Sequence, residues 1–423
     1  MNNDNLQLLI FNALLYILTF LLHQKIKRYW GVSSLILLLY VFVSLVGIDL
    51  FFHPYSEYKN LSLFPFIYLY SMLMIVAYPI LSINEKNVKE IQEPSKLLID
   101  SLAWFVIIIT IISSIPYVLK INNILDNFLN GSEFIRSAYN DTRDTVDQRG
   151  DNNFDIFGIL GNMVMNLCPM LFFYYLSRYK VNKKIIIGLA VSFVLSLLPS
   201  LSQSARGTLG QTILIVFFLY LFFKNQITNK VKRIIRVIMV VILLIIFIPF
   251  AVITIARFDE KNSRGPNLMN YYIEYYIGQS FLNFNNYGLD AGGSRHGDRT
   301  ATLFKQTLGF KTANNYEKRR EKYENMKMDE SIFSTYVGDF TLDYGPYVST
   351  SIFIFLYAIF SRKLKMEDKC TFSQFILYYI LYTVCIGIFL FPYSDLGGNL
   401  KIIFYIMLYF IFQYDYKRFH MEK

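Results

Sequence analysis

Long apolar runs separated by short polar connectors dominate the chain, at 5–22, 31–52, 61–83, 97–119, 154–177, 184–201, 207–223, 234–256, 346–361, 371–391 and 399–414. A helix needs about 20 such residues to cross a hydrocarbon core at 1.5 Å per residue. The pattern predicts an all-α polytopic membrane protein with about eleven transmembrane helices, within a range of roughly ten to twelve because several runs are short or contain proline. Two connectors are longer than turns, 120–153 and 257–345. The predicted organisation is therefore 1–256 with eight helices, 257–345 as one large loop, and 346–423 with three helices and a short tail.

Basic residues alternate with the connectors. Lys25, Lys27 and Arg28, then Lys86, Lys89 and Lys96, then Arg178, Lys180, Lys183 and Lys184 fall in every second one. Lys224, Lys230, Lys232, Arg233 and Arg236 share that side, as do Arg362, Lys363, Lys365 and Lys369, and finally Lys417 and Arg418. The positive-inside rule makes that side cytoplasmic. It places the N-terminus outside, the C-terminus inside, and both long connectors on the extracytoplasmic face.

Composition agrees, since 54% of residues are hydrophobic and 17% aromatic, too apolar for a soluble protein of this size. The net charge of +10 is spread in short clusters between apolar runs, which reads as topogenic and argues against nucleic-acid binding. Cys168, Cys370 and Cys385 lie in or beside apolar runs and give neither a disulfide framework nor a CxxC knuckle. Asp4 and the lack of a basic leader before 5–22 predict a retained first helix. His23, His53, His296 and His420 are scattered, so no zinc site is expected and metal dependence would have to use carboxylates.

The candidate chemistry lies in the connectors. Ser202-Gln203-Ser204-Ala205-Arg206-Gly207 turns the chain and opens a helix, whose free N–H groups and dipole favour a phosphate beside the Arg206 guanidinium, with Ser204 as cap or ligand. The plain alternative is that Arg206 snorkels to ordinary lipid headgroups. In the large loop, Arg257 and then Gly292-Gly293-Ser294-Arg295-His296-Gly297-Asp298-Arg299 offer guanidiniums for anionic oxygens and an imidazole for proton movement. A solvated turn is the alternative there. Tyr271 and Tyr275 belong to a tyrosine-dense stretch suited to the headgroup region, and 311–328 is charged and helix-prone. The loop ends at Phe333-Ser334-Thr335-Tyr336-Val337-Gly338-Asp339-Phe340-Thr341-Leu342-Asp343-Tyr344-Gly345. Helical spacing puts Asp339 and Asp343 on one face at the membrane boundary, as a general base or as partners of a loop arginine.

In these features the chain resembles the O-antigen and capsular oligosaccharide repeat-unit polymerases, the Wzy-type family. The resemblance rests on the Ser204-Ala205-Arg206-Gly207 turn, on Arg257 opening a large loop, and on Ile332-Phe333-Ser334-Thr335 followed by Gly338-Asp339-Phe340 and Asp343-Tyr344-Gly345. Ala205 stands where the family often has Ser. The resemblance implies a fold like that of the GT-C-like lipid-linked glycan transferases and a bacterial cytoplasmic-membrane enzyme without a cofactor. It implies transfer of a growing glycan from undecaprenyl pyrophosphate to the next lipid-linked repeat unit at the outer leaflet, with a chain-length co-polymerase and a flippase as possible partners. Arg206 and Arg257, assisted by Arg295 or Arg299, would hold the pyrophosphate; Asp339, Asp343 or His296 would activate the acceptor; Tyr271 and Tyr275 would face sugars. An O-antigen ligase-like transferase, a lipid-linked sugar transporter and an envelope scaffold are the competing expectations, and polar residues concentrated in loops rather than spans disfavour a transporter.

Overall fold

The computed structural model describes residues 3–58, 60–122, 156–178, 182–202, 206–227, 267–313, 316–328 and 332–421, with isolated positions between 229 and 248. In chain order the helices are α1 (Asn3–Lys27), α2 (Val32–Phe52), α3 (Leu63–Ser82), α4 (Lys96–Leu119), α5 (Ile156–Val164), α6 (Leu167–Leu176), α7 (Lys183–Leu195), α8 (Leu198–Ser202) and α9 (Arg206–Phe223). Then come α10 (Asn267–Asn283), which runs into a π-helical turn at Phe284–Gly288, α11 (Thr302–Thr307), α12 (Tyr316–Lys322), α13 (Thr335–Lys363), α14 (Phe372–Cys385) and α15 (Asp395–Met421).

Among the described residues seven helices are long and apolar enough to cross a membrane: Asp4–Lys27, Val32–Phe52, Leu63–Ser82, Lys96–Leu119, Lys183–Ser202, Thr335–Lys363 and Asp395–Arg418. The pair α5 and α6, bent by 41°, makes an eighth if counted as one span. The apolar helices α9 and α14 are shorter. The chain is thus an all-α, multi-pass membrane protein. Residues 123–153 and most of the predicted run 234–256 lie outside the described residues.

By contact the chain divides into two units, one of 1–87 with 270–411 and one of 88–269 with 412–423. In the first, α2 and α10 cross where Gly47 meets Gly278. A Cβ on Gly278 would lie 2.9 Å from the backbone of Val46 and Gly47, the small-residue contact that lets helices pack in lipid. Tyr16 of α1 fills the adjoining space against Tyr40, Tyr70 and Phe281. The first three helices cap one another. Lys27 Nζ donates to the carbonyls of Ser82 and Ile83 at the end of α3, at 3.0 and 3.1 Å. The buried Glu85 accepts from the Val32 N–H at the start of α2, at 3.2 Å, and from the Tyr378 hydroxyl at 2.5 Å. Cation at a C-terminus and carboxylate at an N-terminus is the arrangement the helix dipole favours. Gly31 is needed there, because a Cβ would run into the Glu85 carboxylate.

In the second unit α4 packs on the bent pair and α7, with Gly188 against Ile107 and Gly161 against Ser113. The Tyr175 hydroxyl donates to Asp100 at 2.6 Å, and Arg178 reaches Glu93, the Ile91 carbonyl and the Tyr174 hydroxyl.

Two predicted boundaries change. Helix α13 begins at Thr335 rather than 346, but it is two helices in one: Gly345, at φ 76° and ψ 166°, breaks it. That conformation is essentially reserved for glycine, and Pro346 then opens the second helix as a first-turn proline. The predicted run 371–391 stops at Cys385, and irregular backbone follows. Such backbone is tolerated at membrane depth only where protein satisfies it. Here the carbonyls of Gly387 and Phe389 accept from Tyr336 and Thr335, at 2.9 and 3.2 Å, and so cap α13.

Candidate functional site

The first half of α13, 335–344, is the floor of the site. Asp339 and Asp343 are one turn apart and face the irregular passage 289–301 of the large loop. The Arg295 N–H donates to the Leu342 carbonyl at 2.9 Å, and the Ser294 hydroxyl donates to the Asp343 carbonyl at 2.6 Å. This backbone register delivers Arg295 between the two carboxylates. Its Nε meets Asp343 Oδ1 at 2.7 Å as an ion pair, and its Nη2 lies 2.9 Å from the Asp339 carbonyl and 3.3 Å from Asp339 Oδ1. Arg299 Nη1 reaches the same Oδ1 at 3.3 Å. A planar guanidinium can serve two carboxylates at once, which an ammonium does less well.

The remaining oxygens are engaged too. Asp343 Oδ2 accepts from the Thr300 N–H at 2.8 Å and its hydroxyl at 2.7 Å, and Asp339 Oδ2 accepts from the Phe391 N–H at 2.6 Å. Arg295 is 2% exposed and Asp343 1%. The plain expectation for the aspartates, pairing with loop arginines, is met. A general-base role would require one of these contacts to part.

A second carboxylate organises the loop. Asp298 is fully buried and pairs with Lys305 and with Lys322, the latter at 2.7 Å, while accepting from the Tyr323 hydroxyl at 2.8 Å and the Ala313 N–H at 3.1 Å. Burial by itself would raise its pKa. The two ammonium groups, the hydroxyl and the amide outweigh burial and hold it at about 2. Arg319 of α12 pairs with Asp395 at 2.6 Å, and the Asp395 N–H donates to the Arg299 carbonyl at 2.8 Å. Asn399 of α15 donates to the Thr300 and Tyr393 carbonyls and accepts from the Leu303 N–H. The loop is thus folded onto α13 and α15 by charge and hydrogen bonds.

Backbone strain collects here. Among the described residues four non-glycine residues have positive φ, and three surround the cluster: His296 at 51°, Thr335 at 71° and Asp395 at 60°. Such outliers persist where surrounding contacts over-determine them and cluster at functional sites.

The structure therefore brings together Arg295, Arg299, Asp339 and Asp343. His296 sits at their edge on an exposed turn, its N–H donating to the Ser294 hydroxyl at 3.1 Å. Tyr271 and Tyr275 lie half-buried on α10, 5.7 Å apart between ring centres, against the cluster of Leu9, Leu50, Phe66 and Leu282. Arg206 begins α9, as the turn predicted, but its side chain, Ser204 and Arg257 lie outside the described residues. Among the described residues no group of three His, Cys, Asp or Glu side chains is placed to hold a metal ion.

Sequence reasoning missed Asp298, Asn399 and Lys401. Lys401 is half-buried in α15, on the face it shares with Tyr405, Leu408 and Phe412. Gly397 and Gly398 lie one turn above it, where a lysine side chain leans. Among the described residues no ion pair or hydrogen bond engages it. A charge on the inward stripe of a membrane helix is a functional candidate, and two glycines preceding it were the available signal.

Fold and site together define a multi-pass α-helical membrane protein with a buried arginine–aspartate cluster where a folded loop meets its helices. Comparison with known proteins finds no matching family model, no matching curated protein and no matching solved structure.

Proposed function

We propose that this protein is a lipid-linked oligosaccharide polymerase of the bacterial cytoplasmic membrane, with the 257–345 loop outside. The observation that carries the proposal is the buried cluster of Arg295, Arg299, Asp339 and Asp343 beneath strained backbone in a multi-pass membrane protein.

In this reading the hydroxyl of the incoming lipid-linked repeat unit attacks the anomeric carbon of the growing chain. The bond from that carbon to undecaprenyl pyrophosphate breaks, and the hydroxyl proton passes to a base. His296 suits the base, because it is an exposed imidazole at the edge of the cluster. Asp339 and Asp343 act as positioning residues that hold the arginines. Charge for the departing pyrophosphate comes from groups not already balanced by carboxylates. Lys401 is one, and Arg206 and Arg257 are proposed as others.

The test is incubation of purified protein in nanodiscs with the host's undecaprenyl-pyrophosphate repeat unit, read as a ladder of oligomers. A ladder lost with His296→Ala and Arg206→Ala supports the reading. Absence of a ladder from folded protein with authentic substrate overturns it, and transfer to a different acceptor would make it a ligase.

A further inference from the structure

Helix α11 and the turn that closes it leave three large apolar side chains uncovered: Phe304 is 48% exposed, Leu308 74% and Phe310 60%. Phe304 and Leu308 stand one turn apart and share a side of the helix. The turn itself is firmly built. The Gly309 N–H donates to the Gln306 carbonyl and the Phe310 N–H to the Lys305 carbonyl, each at 2.9 Å, with Gly309 at φ 82°. These are the paired bonds of a Schellman motif, which frequently adds an apolar contact between the residue after the glycine and one in the last helical turn. Phe310 and Phe304 hold those two positions, yet both stay open. The polar side of the same helix is spent inside the loop, where Lys305 pairs with buried Asp298 and the Gln306 amide donates to the Thr312 hydroxyl at 3.0 Å.

The base of α11 fixes the level at which these side chains lie. Just before it, the Thr300 hydroxyl is 3.0 Å from that of Tyr344, two residues ahead of the Pro346 that opens the apolar half of α13. The Leu303 N–H donates to Asn399 Oδ1 at 3.0 Å. Asn399 lies one turn before Ile403, where the exposed apolar face of α15 begins and continues through Ile406, Met407 and Phe410. At 1.5 Å per residue that turn is about 6 Å and α11 is about 9 Å long. Leu308 and Phe310 therefore lie within about 10 Å of the level at which two membrane helices start, and interfacial segments bury their apolar side about 5–10 Å deep. Lys311, exposed beside Phe310, supplies the cation that such segments set against lipid phosphates, with its ammonium still in water.

We propose that the α11 turn seats Phe304, Leu308 and Phe310 in the lipid leaflet beside α13 and α15, with the Lys311 ammonium at the phosphates. The partner is the bilayer itself, so the inference stands apart from the glycan-transfer reading and needs no substrate. Because Lys305 of the same helix pairs with Asp298, the seated turn is tied directly to the passage that carries Arg295 and Arg299.

The test is electron paramagnetic resonance of a nitroxide placed at Leu308→Cys or Phe310→Cys, one at a time, in the full-length protein in nanodiscs of phosphatidylethanolamine and phosphatidylglycerol. The native cysteines are buried and add little background. Collisions with oxygen, which concentrates in lipid, should exceed those with a water-soluble nickel chelate at both positions, the reverse of the order for free label in buffer. Nickel collisions in excess at either position put the turn in water and overturn the proposal. A label shielded from both reagents means that protein covers the turn, either a second copy or the chain itself, and overturns it equally. Phe304→Cys, read in the same way, replaces either variant that fails to fold.

Discussion

Arg295 shows how one side chain can be both costly and indispensable. A buried ion pair is a weak source of net stability, yet removing one partner strands the other in low dielectric, at about 3–5 kcal/mol. Arg295→Met would remove the guanidinium that pairs with both Asp339 and Asp343. It should lower the unfolding temperature sharply in nanodiscs, and Arg295→Lys should fall between it and the parent because it keeps the charge but loses the fork. Asp298 makes a different prediction. Its folded pKa, about 2, lies below the ordinary 3.8, so its contribution is complete above pH 4 and is lost as pH falls towards 2. Asp298→Asn should flatten that part of the stability–pH curve and lower stability at neutral pH. Lys401→Met, in contrast, should leave insertion and unfolding almost unchanged while abolishing the oligomer ladder. An unchanged ladder would remove Lys401 from the proposed mechanism.

At the scale of elements, breaks and caps matter more than helix propensity. Gly345→Ala forces a Cβ into a backbone region close to glycine-only, at about 1–3 kcal/mol, and should also reorient 335–344 relative to the rest of α13. Glu85 is a cap supplied from a distant connector. Its folded pKa is raised, chiefly by burial against the opposing bonds from Tyr378 and Val32, so its ionised form lowers stability as pH rises through the raised value. Glu85→Gln should therefore be neutral or stabilising at pH 7, while Glu85→Ala, which leaves the Tyr378 hydroxyl and the α2 N-terminus unpaired, should cost about 1–3 kcal/mol in a thermal melt.

These elements also show what hydropathy can reveal. It located the second half of α13 at 346 because Pro346 and the apolar residues after it are local signals. It missed 335–344 because that half alternates polar and apolar residues and is held by contacts distant in sequence, such as Phe391 to Asp339, 52 residues apart. It overran α14 because Ile386, Ile388 and Phe391 are as buried as helical residues while their backbone is irregular. The i, i+4 spacing made Asp339 and Asp343 legible as a pair. Nothing local, however, identifies Arg295 as their centre, Asp298 as the hub of the loop, or Lys401 as more than a tolerated charge in an apolar run.

For the whole molecule, the sidedness argued from lysines and arginines can be read directly. All three native cysteines are buried, so background labelling should be low. With single exposed substitutions, Lys311→Cys should react with a membrane-impermeant maleimide on intact cells, and Lys417→Cys only after permeabilisation. The reverse result would invert the topology and remove the proposed outer-leaflet chemistry.

The first unit is assembled from the beginning of the chain and its last third, with 88–269 belonging to the other unit. At synthesis rates of about 5–20 residues per second, that intervening stretch keeps α1, α2 and α3 waiting on the order of 10–40 s for α10 and α13. Throughout that interval Gly47, Tyr16 and Tyr58 lack Gly278, Phe281 and Asn283, the late partners that meet them in the finished protein. The mutual caps of Lys27 and Glu85 are ready from the start, because both lie within the first 87 residues. They can join the first three helices to one another before any later helix of that unit is made.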